Sequence, residues 1–333
     1  MANDLRIAGV SVAPGQAVRH ALELVELADG LRVTLPLLLV NGAHDGPRLY
    51  LGAGIHGDEV TSIAILANAL RQFPVAQLSG SLVCALVQNP LALHSDHRIP
   101  IGHYLKSPLD QSPIDPWSVF PGTPDGPLAE VLAHRLFELI TQCEYAIDMH
   151  TPTRGGRYVP ITLLPPLALG APARRAEELA IAFGSGYVMK TDKGMYVRDG
   201  ILAVEATRHN VPAFTFEIGE GGRLEPELVT IGTRCVLNAL RHLGMLAGPV
   251  EPPSRVVRMR EFIGVRSQRG GLLFTDARLG DMVKRRQPLA RIVNVYGDEV
   301  EHVESPADGL FVRTTTLSTV TAGERVATVA LLE

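Results

Sequence analysis

Short apolar runs alternate with longer amphipathic runs along the chain up to about residue 245. The apolar runs at residues 48–53, 81–87, 145–149 and 213–218 are rich in β-forming residues. Such runs are typical of strands that are buried on both faces of a sheet. Their alternation with helical segments predicts an α/β fold, in which a mixed, mostly parallel sheet is flanked by helices.

Three amphipathic segments lie between or after these strands. Apolar residues recur at helical spacing within residues 63–70, 127–141 and 226–244, and the last segment begins with a proline and ends at a glycine. Proline at the start and glycine just past the end is the usual asymmetry of a helix. In sheets of this class active sites gather at the carboxyl ends of strands, so polar residues at those ends are the first candidates for function.

The pattern changes after Pro252-Pro253. Short β-rich runs separated by glycine and proline follow, without helical periodicity, and the pattern Gly-acid-x-Val occurs at residues 280–283 and 323–326. This repeat predicts two halves of one barrel-like sandwich. We therefore predict an α/β domain over residues 1–250 and a small all-β barrel-sandwich domain over residues 251–333.

Composition argues against several classes of protein. The net charge is −4 and no basic stripe is present, which disfavours nucleic acid and anionic membranes as partners. The apolar stretches are too short to span a bilayer, and the first six residues lack a signal-peptide layout. Three separate cysteines in apolar runs predict reduced thiols and a cytoplasmic protein. The sequence leaves open whether the chain forms a homo-oligomer. The cysteines are Cys84, Cys143 and Cys235.

Two groups of polar residues follow predicted strands and can hold a metal ion. His56 and Glu59 lie three residues apart where a strand meets a helix, a spacing at which both side chains can face one point. His150 adds an imidazole from the end of another strand. This set can hold one Zn²⁺ per chain and leave a position for water, whose pKa zinc lowers to about 7. Asp148 either orients a ligand histidine or, by strand alternation, points elsewhere. The alternative is a group of ordinary polar loop residues.

Glu217 is the candidate general base. It lies inside the apolar run 213–218, where a carboxylate is costly unless it has a partner or a function. Beside a metal it can take a proton from water and pass it to the leaving group. An ion-paired glutamate at a strand end is the alternative. Glu220 is the rival candidate, and Glu217 is preferred because it lies within the strand.

Arg98 is the candidate electrophilic residue. It lies eight residues after the Asn89-Pro90 pair that follows a predicted strand. An oxyanion forms when water adds to a carbonyl, and an arginine beside the metal would stabilise it. The alternative is a surface charge. The neighbouring histidines are predicted to be solvated or structural rather than metal ligands. They are His94, His97 and His103.

The motifs, in this order, resemble the succinylglutamate desuccinylase/aspartoacylase family, which is related to the zinc carboxypeptidases of the carboxypeptidase A type. The likeness covers nearly the whole chain and implies a zinc carboxypeptidase-like fold. It also implies zinc at His56, Glu59 and His150, Glu217 as general base and acid, and Arg98 polarising the scissile carbonyl. The motifs are Gly54-Ile55-His56-Gly57-Asp58-Glu59, Asn89-Pro90 with Arg98, Phe120-Pro121-Gly122, Asp148-Met149-His150-Thr151 and Thr215-Phe216-Glu217-Ile218-Gly219.

One motif departs from the family pattern. Family members usually carry D-x-N-R before F-P-G, and that arginine grips a substrate carboxylate. Here Trp117 and Ser118 stand in place of the asparagine and the arginine. Serine cannot supply a bidentate charged fork, so carboxylate-rich substrates such as succinylglutamate and N-acetylaspartate are not expected. Trp117 offers a flat apolar or cation-binding wall, or else only packs. Candidates to replace the lost charge are Arg154, Arg157 and Arg208.

Residues 251–333 resemble the β-sandwich of lipoyl and biotinyl carriers. The hairpin-like segment 294–299 lacks the lysine that a carrier needs, so we predict a cap over the mouth of the active site. Tyr296 at its tip either reaches into the site or packs within the turn. The candidate substrate-binding residues are thus Asn89, Trp117, Ser118, Arg208 and Tyr296.

The sequence as a whole predicts a zinc-dependent amidohydrolase, a deacylase that cleaves the amide bond of an N-acyl amino acid or a related small amide. The expected partner is that small-molecule substrate. A zinc carboxypeptidase or other peptidase, an esterase on the same scaffold and a non-catalytic zinc-binding protein are the alternatives.

Overall fold

The computed structural model of the protein describes residues 3–106, 109–110 and 112–333; Met1, Ala2 and part of the loop after Arg98 therefore lie outside the description. The strands are β1 (Leu5–Ile7), β2 (Val10–Val12), β3 (Gln16–Glu26), β4 (Arg32–Asn41), β5 (His44–Ala53), β6 (Ser79–Ala85), β7 (Tyr145–His150), β8 (Gly156–Leu163), β9 (Tyr187–Met189), β10 (Ala213–Glu220), β11 (Val257–Arg266), β12 (Gly271–Thr275), β13 (Met282–Val283), β14 (Pro288–Val293), β15 (Glu299–Glu304), β16 (Gly309–Thr315), β17 (Thr319–Val320) and β18 (Arg325–Leu332).

Helices connect the strands in the middle of the chain. Short 3₁₀ turns occur at Val75–Gln77, Ile101–His103, Pro116–Ser118, Leu167–Leu169 and Met195–Val197. In the described parts of the chain, every helix is too short or too polar to cross a lipid bilayer. The α-helices are α1 (Val60–Ala69), α2 (Pro90–Ser95), α3 (Leu128–Ile140), α4 (Ala171–Phe183), α5 (Leu202–Arg208) and α6 (Pro226–His242).

One large mixed sheet organises the molecule. Its strand order is β13-β16-β18-β11-β9-β8-β10-β7-β5-β6-β4-β3. The prediction of a mixed α/β sheet flanked by helices is confirmed, but parallel pairing is limited to two groups of strands, β10, β7, β5 and β6 at the centre and β8, β9 and β11 beside them. Neighbours toward both edges are largely antiparallel. The chain before β5 and after β10 has few helices to carry parallel crossovers, and short turns join strands only in antiparallel pairs.

Two hydrophobic cores lie on opposite faces of the sheet. One is built with α1, α4 and α6, and the other with α3 and α5. The strands alternate between them, so Ile147 and Met149 of β7 enter one core and Ala146 enters the other. Asp148 and His150 therefore share the face of Ala146. The three cysteines are buried and unbonded, as predicted.

The C-terminal segment is all-β, as predicted, but its strands do not form a self-contained sandwich. One group, β15-β14-β12-β17, forms a separate four-stranded sheet. The others enter the large sheet, where β11 pairs with β9 and β16 pairs with β8. The ring β8-β9-β11-β18-β16 is thereby closed into a five-stranded barrel. The boundary at residue 250 remains a prediction, since strands from both sides of it share this ring.

Candidate active site

Three neighbouring parallel strands deliver the central residues of the site. β5, β7 and β10 lie side by side, so their carboxyl ends meet at one edge of the sheet. His150 is the last residue of β7, and Glu217 of β10 lies directly beside it in register. His56 and Glu59 follow β5 in the turn before α1. Gly57 permits that turn, because a Cβ there would lie 1.8 Å from the backbone oxygen of Ala92.

The structure brings His56, Glu59 and His150 together, and all three are buried. One ligand atom from each lies within 4.8 Å of the others. The Nδ1 atoms of His56 and His150 are 2.6 and 2.9 Å from the two carboxylate oxygens of Glu59. Two imidazole nitrogens and one carboxylate thus converge on one point, which is a donor set that a zinc ion accepts.

A carboxylate also contacts the far side of each imidazole. Asp115 Oδ1 lies 3.1 Å from His56 Nε2, and Asp148 Oδ2 lies 2.7 Å from His150 Nε2. Asp148 therefore orients His150, since residues two apart on a strand share a face. The other oxygen of Asp148 accepts a hydrogen bond from Gln88. Such contacts fix ring orientation and leave each Nδ1 facing Glu59.

Electrostatics tie the three residues to one another. Burial opposes the charged form of His150, but the charges of Asp148 and Glu59 and its hydrogen bonds to both raise its pKa well above the usual value. The pKa of His56 is also raised, because Glu59 and Asp115 outweigh its burial. Burial favours the neutral form of Glu59, but the two imidazoles lower its pKa. These shifts favour the protonated imidazoles, so a metal ion would compete with protons for the ring nitrogens.

Glu217 lies on the same edge but in a different electrostatic state. Burial, opposed by the nearby His150 and reinforced by Glu59, raises its pKa to about 7. Its Oε1 accepts a hydrogen bond of 3.0 Å from the Tyr196 hydroxyl, while Oε2 is buried without a hydrogen-bond partner. A carboxylate that titrates near neutrality with one unpaired oxygen is suited to accept a proton and to return it.

Arg98 is held in the site by two carboxylates. Its Nε and Nη2 donate to Asp115 Oδ2 at 3.1 and 2.9 Å, and its Nη1 lies 3.7 Å from Glu59 Oε1. The guanidinium is therefore placed beside the ligand set by the same Asp115 that contacts His56. This position fits the predicted role at a carbonyl oxygen, which itself stays a prediction.

A cavity of about 290 Å³ joins these groups. The predicted residues that line it are His56, Glu59, Arg98, Trp117, His150 and Glu217. Residues that the sequence did not single out complete the wall. They include Tyr158, Tyr196, Arg313 and Arg325, the last two from the C-terminal segment.

Comparisons with known proteins identify the family. The sequence model of a protein family, the succinylglutamate desuccinylase/aspartoacylase catalytic domain, matches residues 45–243. The chain belongs to this family.

Individual relatives agree with the family assignment. An N-alpha-acetyl-L-2,4-diaminobutyric acid deacetylase from Halomonas elongata is 27% identical over 307 residues, which cover 90% of this chain and 86% of that protein. The product-bound ectoine utilization protein EutE (DoeB) from Ruegeria pomeroyi superposes with a TM-score of 0.81 at 22% identity, over 95% of both chains. A succinylglutamate desuccinylase/aspartoacylase structure from Rhodobacter sphaeroides gives a TM-score of 0.81 at 24% identity, over 95% of this chain and 96% of that one. The two structural likenesses establish a shared fold.

The departure from the family motif has a clear structural setting. Trp117 is buried, lines the cavity and packs edge-on against His150 and Tyr196, with ring centroids 5.8 and 5.6 Å away. Its indole nitrogen is buried without a hydrogen-bond partner. Ser118 lies outside the cavity wall, and its hydroxyl donates to the backbone oxygen of Asp115. Ser118 therefore occupies the sequence position of the family's arginine, but its side chain is not part of the cavity wall.

The other predicted substrate residues lie away from the cavity wall. The side-chain oxygen of Asn89 caps α2 and accepts a hydrogen bond from Tyr104, so its place in the structure is explained by local folding. Arg208 pairs with Asp199 and Glu205. Tyr296 is 88% exposed at the tip of the β14–β15 hairpin and does not reach the site.

The two other arginines that were predicted as replacements for the lost charge also form ion pairs. Arg154 pairs with Asp96, and Arg157 pairs with Glu225. Glu220, the rival general base, is buried and accepts a hydrogen bond from Thr316. It is absent from the described cavity wall.

Three contributors to the site were missed at the level of sequence. Asp115 is the aspartate of the divergent motif and had no predicted role, although it contacts both His56 and Arg98. Tyr196 lies in a short 3₁₀ turn with no recognisable pattern. Arg313 lies in β16, where an apolar run with one arginine was the available signal.

Proposed function

We propose that the protein is a zinc-dependent amidohydrolase, a deacylase that cleaves the amide bond of an N-acyl amino acid or a related small amide. The observation that carries the proposal is the placement of Glu217, with one unpaired oxygen, beside the converging His56, Glu59 and His150. Family membership and the deacetylase from Halomonas elongata support the same chemistry.

The donor set supports zinc as the cofactor. Two imidazole nitrogens and a carboxylate oxygen form a known catalytic zinc set that keeps a position open. The half-buried carboxylate of Asp115 and the buried carboxylate of Asp148 hold the two imidazoles in place, as zinc-binding histidines usually require. A zinc ion bound there would supply Lewis acidity, activating water and polarising a carbonyl.

The chain's own residues would then move the protons and stabilise charge. Glu217 takes a proton from the attacking water, because its pKa lies near neutrality and its Oε2 has no other partner. The same carboxyl group returns the proton to the departing amine nitrogen. Arg98, fixed by Asp115, donates to the oxygen on which negative charge develops. Tyr196 holds Glu217 in position through its hydroxyl.

The decisive experiment replaces the general base and preserves the metal site. We expect Glu217→Gln to bind zinc with the wild-type stoichiometry and to lose activity by a factor of about 10³, in the range attributed to general acid–base catalysis. Zinc content is measured by elemental analysis, and turnover on N-acyl amino acids. Glu220→Gln is the matched control and should keep most of the activity, since Glu220 lies outside the cavity wall. Full activity of Glu217→Gln would refute the proposal.

A substrate panel separates the related activities. It contains N-acetyl amino acids, among them N-alpha-acetyl-L-2,4-diaminobutyric acid, together with dipeptides and simple esters. A deacylase hydrolyses the first group with the highest kcat/KM. A preference for dipeptides would instead indicate a peptidase, and zinc binding without any hydrolysis would indicate a binding protein.

A further inference from the structure

The cavity contains positive charge that the motif residues do not explain. Three arginines were candidates to replace the motif arginine that grips a substrate carboxylate in the family. Each of them forms an ion pair with another side chain instead: Arg154 with Asp96, Arg157 with Glu225 and Arg208 with Asp199. Arg98 is likewise occupied by Asp115. A substrate that carries charge must therefore meet other groups of the wall.

Arg313 and Arg325 are those groups. Both line the cavity, and within the described residues neither forms an ion pair. The side chain of Arg313 is largely removed from water, which lowers its pKa. Among the described residues, the hydrogen bond that its guanidinium donates is a long one of 3.4 Å, to the backbone oxygen of Arg325. A half-buried guanidinium without an ion-paired carboxylate is costly, so it is suited to bind an anion that enters the cavity.

The backbone around Arg313 is shaped to hold the guanidinium at the wall. β16 pairs with β8 at Arg313 and Tyr158, and its register against β18 shifts between Phe311 and Arg313. Such an irregularity re-aims a side chain. Gly156 of β8 leaves the necessary space, since a Cβ there would lie 2.8 Å from Arg313 Nη2. Gly156 itself lines the cavity.

We propose that Arg313, assisted by Arg325, binds a carboxylate of the substrate in place of the family's motif arginine, so that the site takes anionic amides. This inference rests on the proposed function for the identity of the substrate as an amide. The C-terminal segment then supplies the specificity contact, and Trp117 is an uncharged part of the same cavity wall.

The same charge distribution disfavours a substrate with an additional ammonium group. The carboxylates that line the described cavity are Glu59 and Glu217. Glu59 is occupied by two histidines, and Glu217 pairs one oxygen with Tyr196 and keeps the other for the proposed proton transfer. The relative from Halomonas elongata is named for a diaminobutyric acid derivative, which carries an amine besides its carboxylate. We therefore expect this chain to prefer an N-acyl amino acid without that amine.

Binding can be tested without turnover in the zinc-loaded Glu217→Gln protein. NMR titrations would compare N-acetylglycine, N-succinylglycinamide and the neutral N-acetylglycinamide. The first carries a carboxylate on the amine part, and the second on the acyl part. We expect one of the two anions to bind at least about tenfold more tightly than the neutral amide, as a charge-assisted contact provides. Equal binding of all three probes, or no binding of either anion, would refute the carboxylate anchor.

Variants assign the preference to Arg313. Introduced into the same Glu217→Gln protein, Arg313→Met should abolish the difference between the preferred anion and the neutral amide, while the affinity for the neutral amide stays unchanged. Arg313→Lys should restore part of it, because lysine keeps the charge and loses the fork. Gly156→Ala should lower the affinity for the anionic probe and leave that for the neutral amide unchanged, since the added methyl displaces the guanidinium of Arg313. Arg285→Met, an exposed arginine of the same segment, is the matched control and should change nothing. If Arg313→Met weakened all probes equally, the residue would be structural and the proposal wrong.

The outcome is separable from that of the proposed function. An anion preference that depends on Arg313, without hydrolysis of any amide, would keep the anchor and refute the hydrolase. The opposite result is measured in the protein that retains Glu217. If wild type and Arg313→Met hydrolysed the preferred anionic amide with the same kcat/KM, the hydrolase would be supported and the carboxylate anchor refuted.

Discussion

The floor and the C-terminal wall of the cavity are built on opposite principles. On the floor, His56, Glu59 and His150 satisfy one another, and Asp115 and Asp148 satisfy the remaining imidazole nitrogens. On the wall, Arg313 and Arg325 form no ion pair among the described residues. The floor groups are held in advance of any ligand, whereas the charge of the wall is left for one. Internal pairing thus separates the proposed metal ligands from the arginines that we propose to contact a substrate carboxylate.

The largest expected effect comes from removing a ligand of the floor. His150→Ala should abolish stoichiometric zinc binding and all measurable hydrolysis, because it leaves Glu59 and His56 as an incomplete set. Elemental analysis of the purified variant measures the zinc. His103→Ala is the control, since His103 is exposed and lies outside the cluster, and it should retain zinc. If His150→Ala kept zinc at one equivalent, the floor would not be the metal site.

A smaller effect is expected where the floor is supported rather than ligated. Asp148→Asn leaves the proposed zinc ligands intact but weakens the contact that orients His150. We expect zinc affinity to fall by about 10- to 100-fold. Competition with a chelator measures this change. Asp96→Asn removes an exposed carboxylate and should leave the affinity unchanged. An unaltered affinity in Asp148→Asn would show that packing alone orients His150.

The smallest effect is expected at Tyr196, which lines the cavity and donates a hydrogen bond to Glu217. Activity requires the carboxylate form of Glu217, so kcat/KM should fall as the pH drops through a value at or below about 7, because a bound cation favours the carboxylate. The Tyr196 hydroxyl also favours the carboxylate. Tyr196→Phe should therefore raise the pKa and shift this acid limb upward by about half to one pH unit.

The pH–rate profiles of the two proteins at equal zinc occupancy provide the measurement. A uniform loss of activity without a shift would mean that Tyr196 only shapes the cavity. A shift to lower pH would contradict the assigned hydrogen bond.

The sequence predicted the floor because its residues follow strand ends. The apolar runs before His56, His150 and Glu217 predict buried strands, and parallel strands bring their carboxyl ends to one edge of a sheet. Short motifs with fixed spacing therefore suffice to place these side chains near one another. The helices at residues 127–141 and 226–244 were predicted to within a few residues for the same reason, since periodicity is a local property.

The wall was missed because its position depends on the pairing of strands distant in sequence. Arg313 faces the cavity only because β16 pairs with β8, and a single arginine in an apolar strand carries no sign of that partner. Asp115 contacts His56 although the two are 59 positions apart in sequence, and the loop that carries Asp115 has no periodicity. Tyr296, by contrast, was considered because a hairpin tip is visible in sequence, yet the four-stranded sheet holds that tip in solvent.

The closed ring of β8, β9, β11, β18 and β16 has a consequence for the synthesis of the protein. β18, which ends at Leu332, lies between β11 and β16, so the ring cannot close before residue 332 has left the ribosome. The residues of the floor are made long before that. A nascent chain therefore contains the residues of the proposed metal cluster before it contains Arg313 and Arg325, so the proposed substrate contact is added later in synthesis than the proposed metal site.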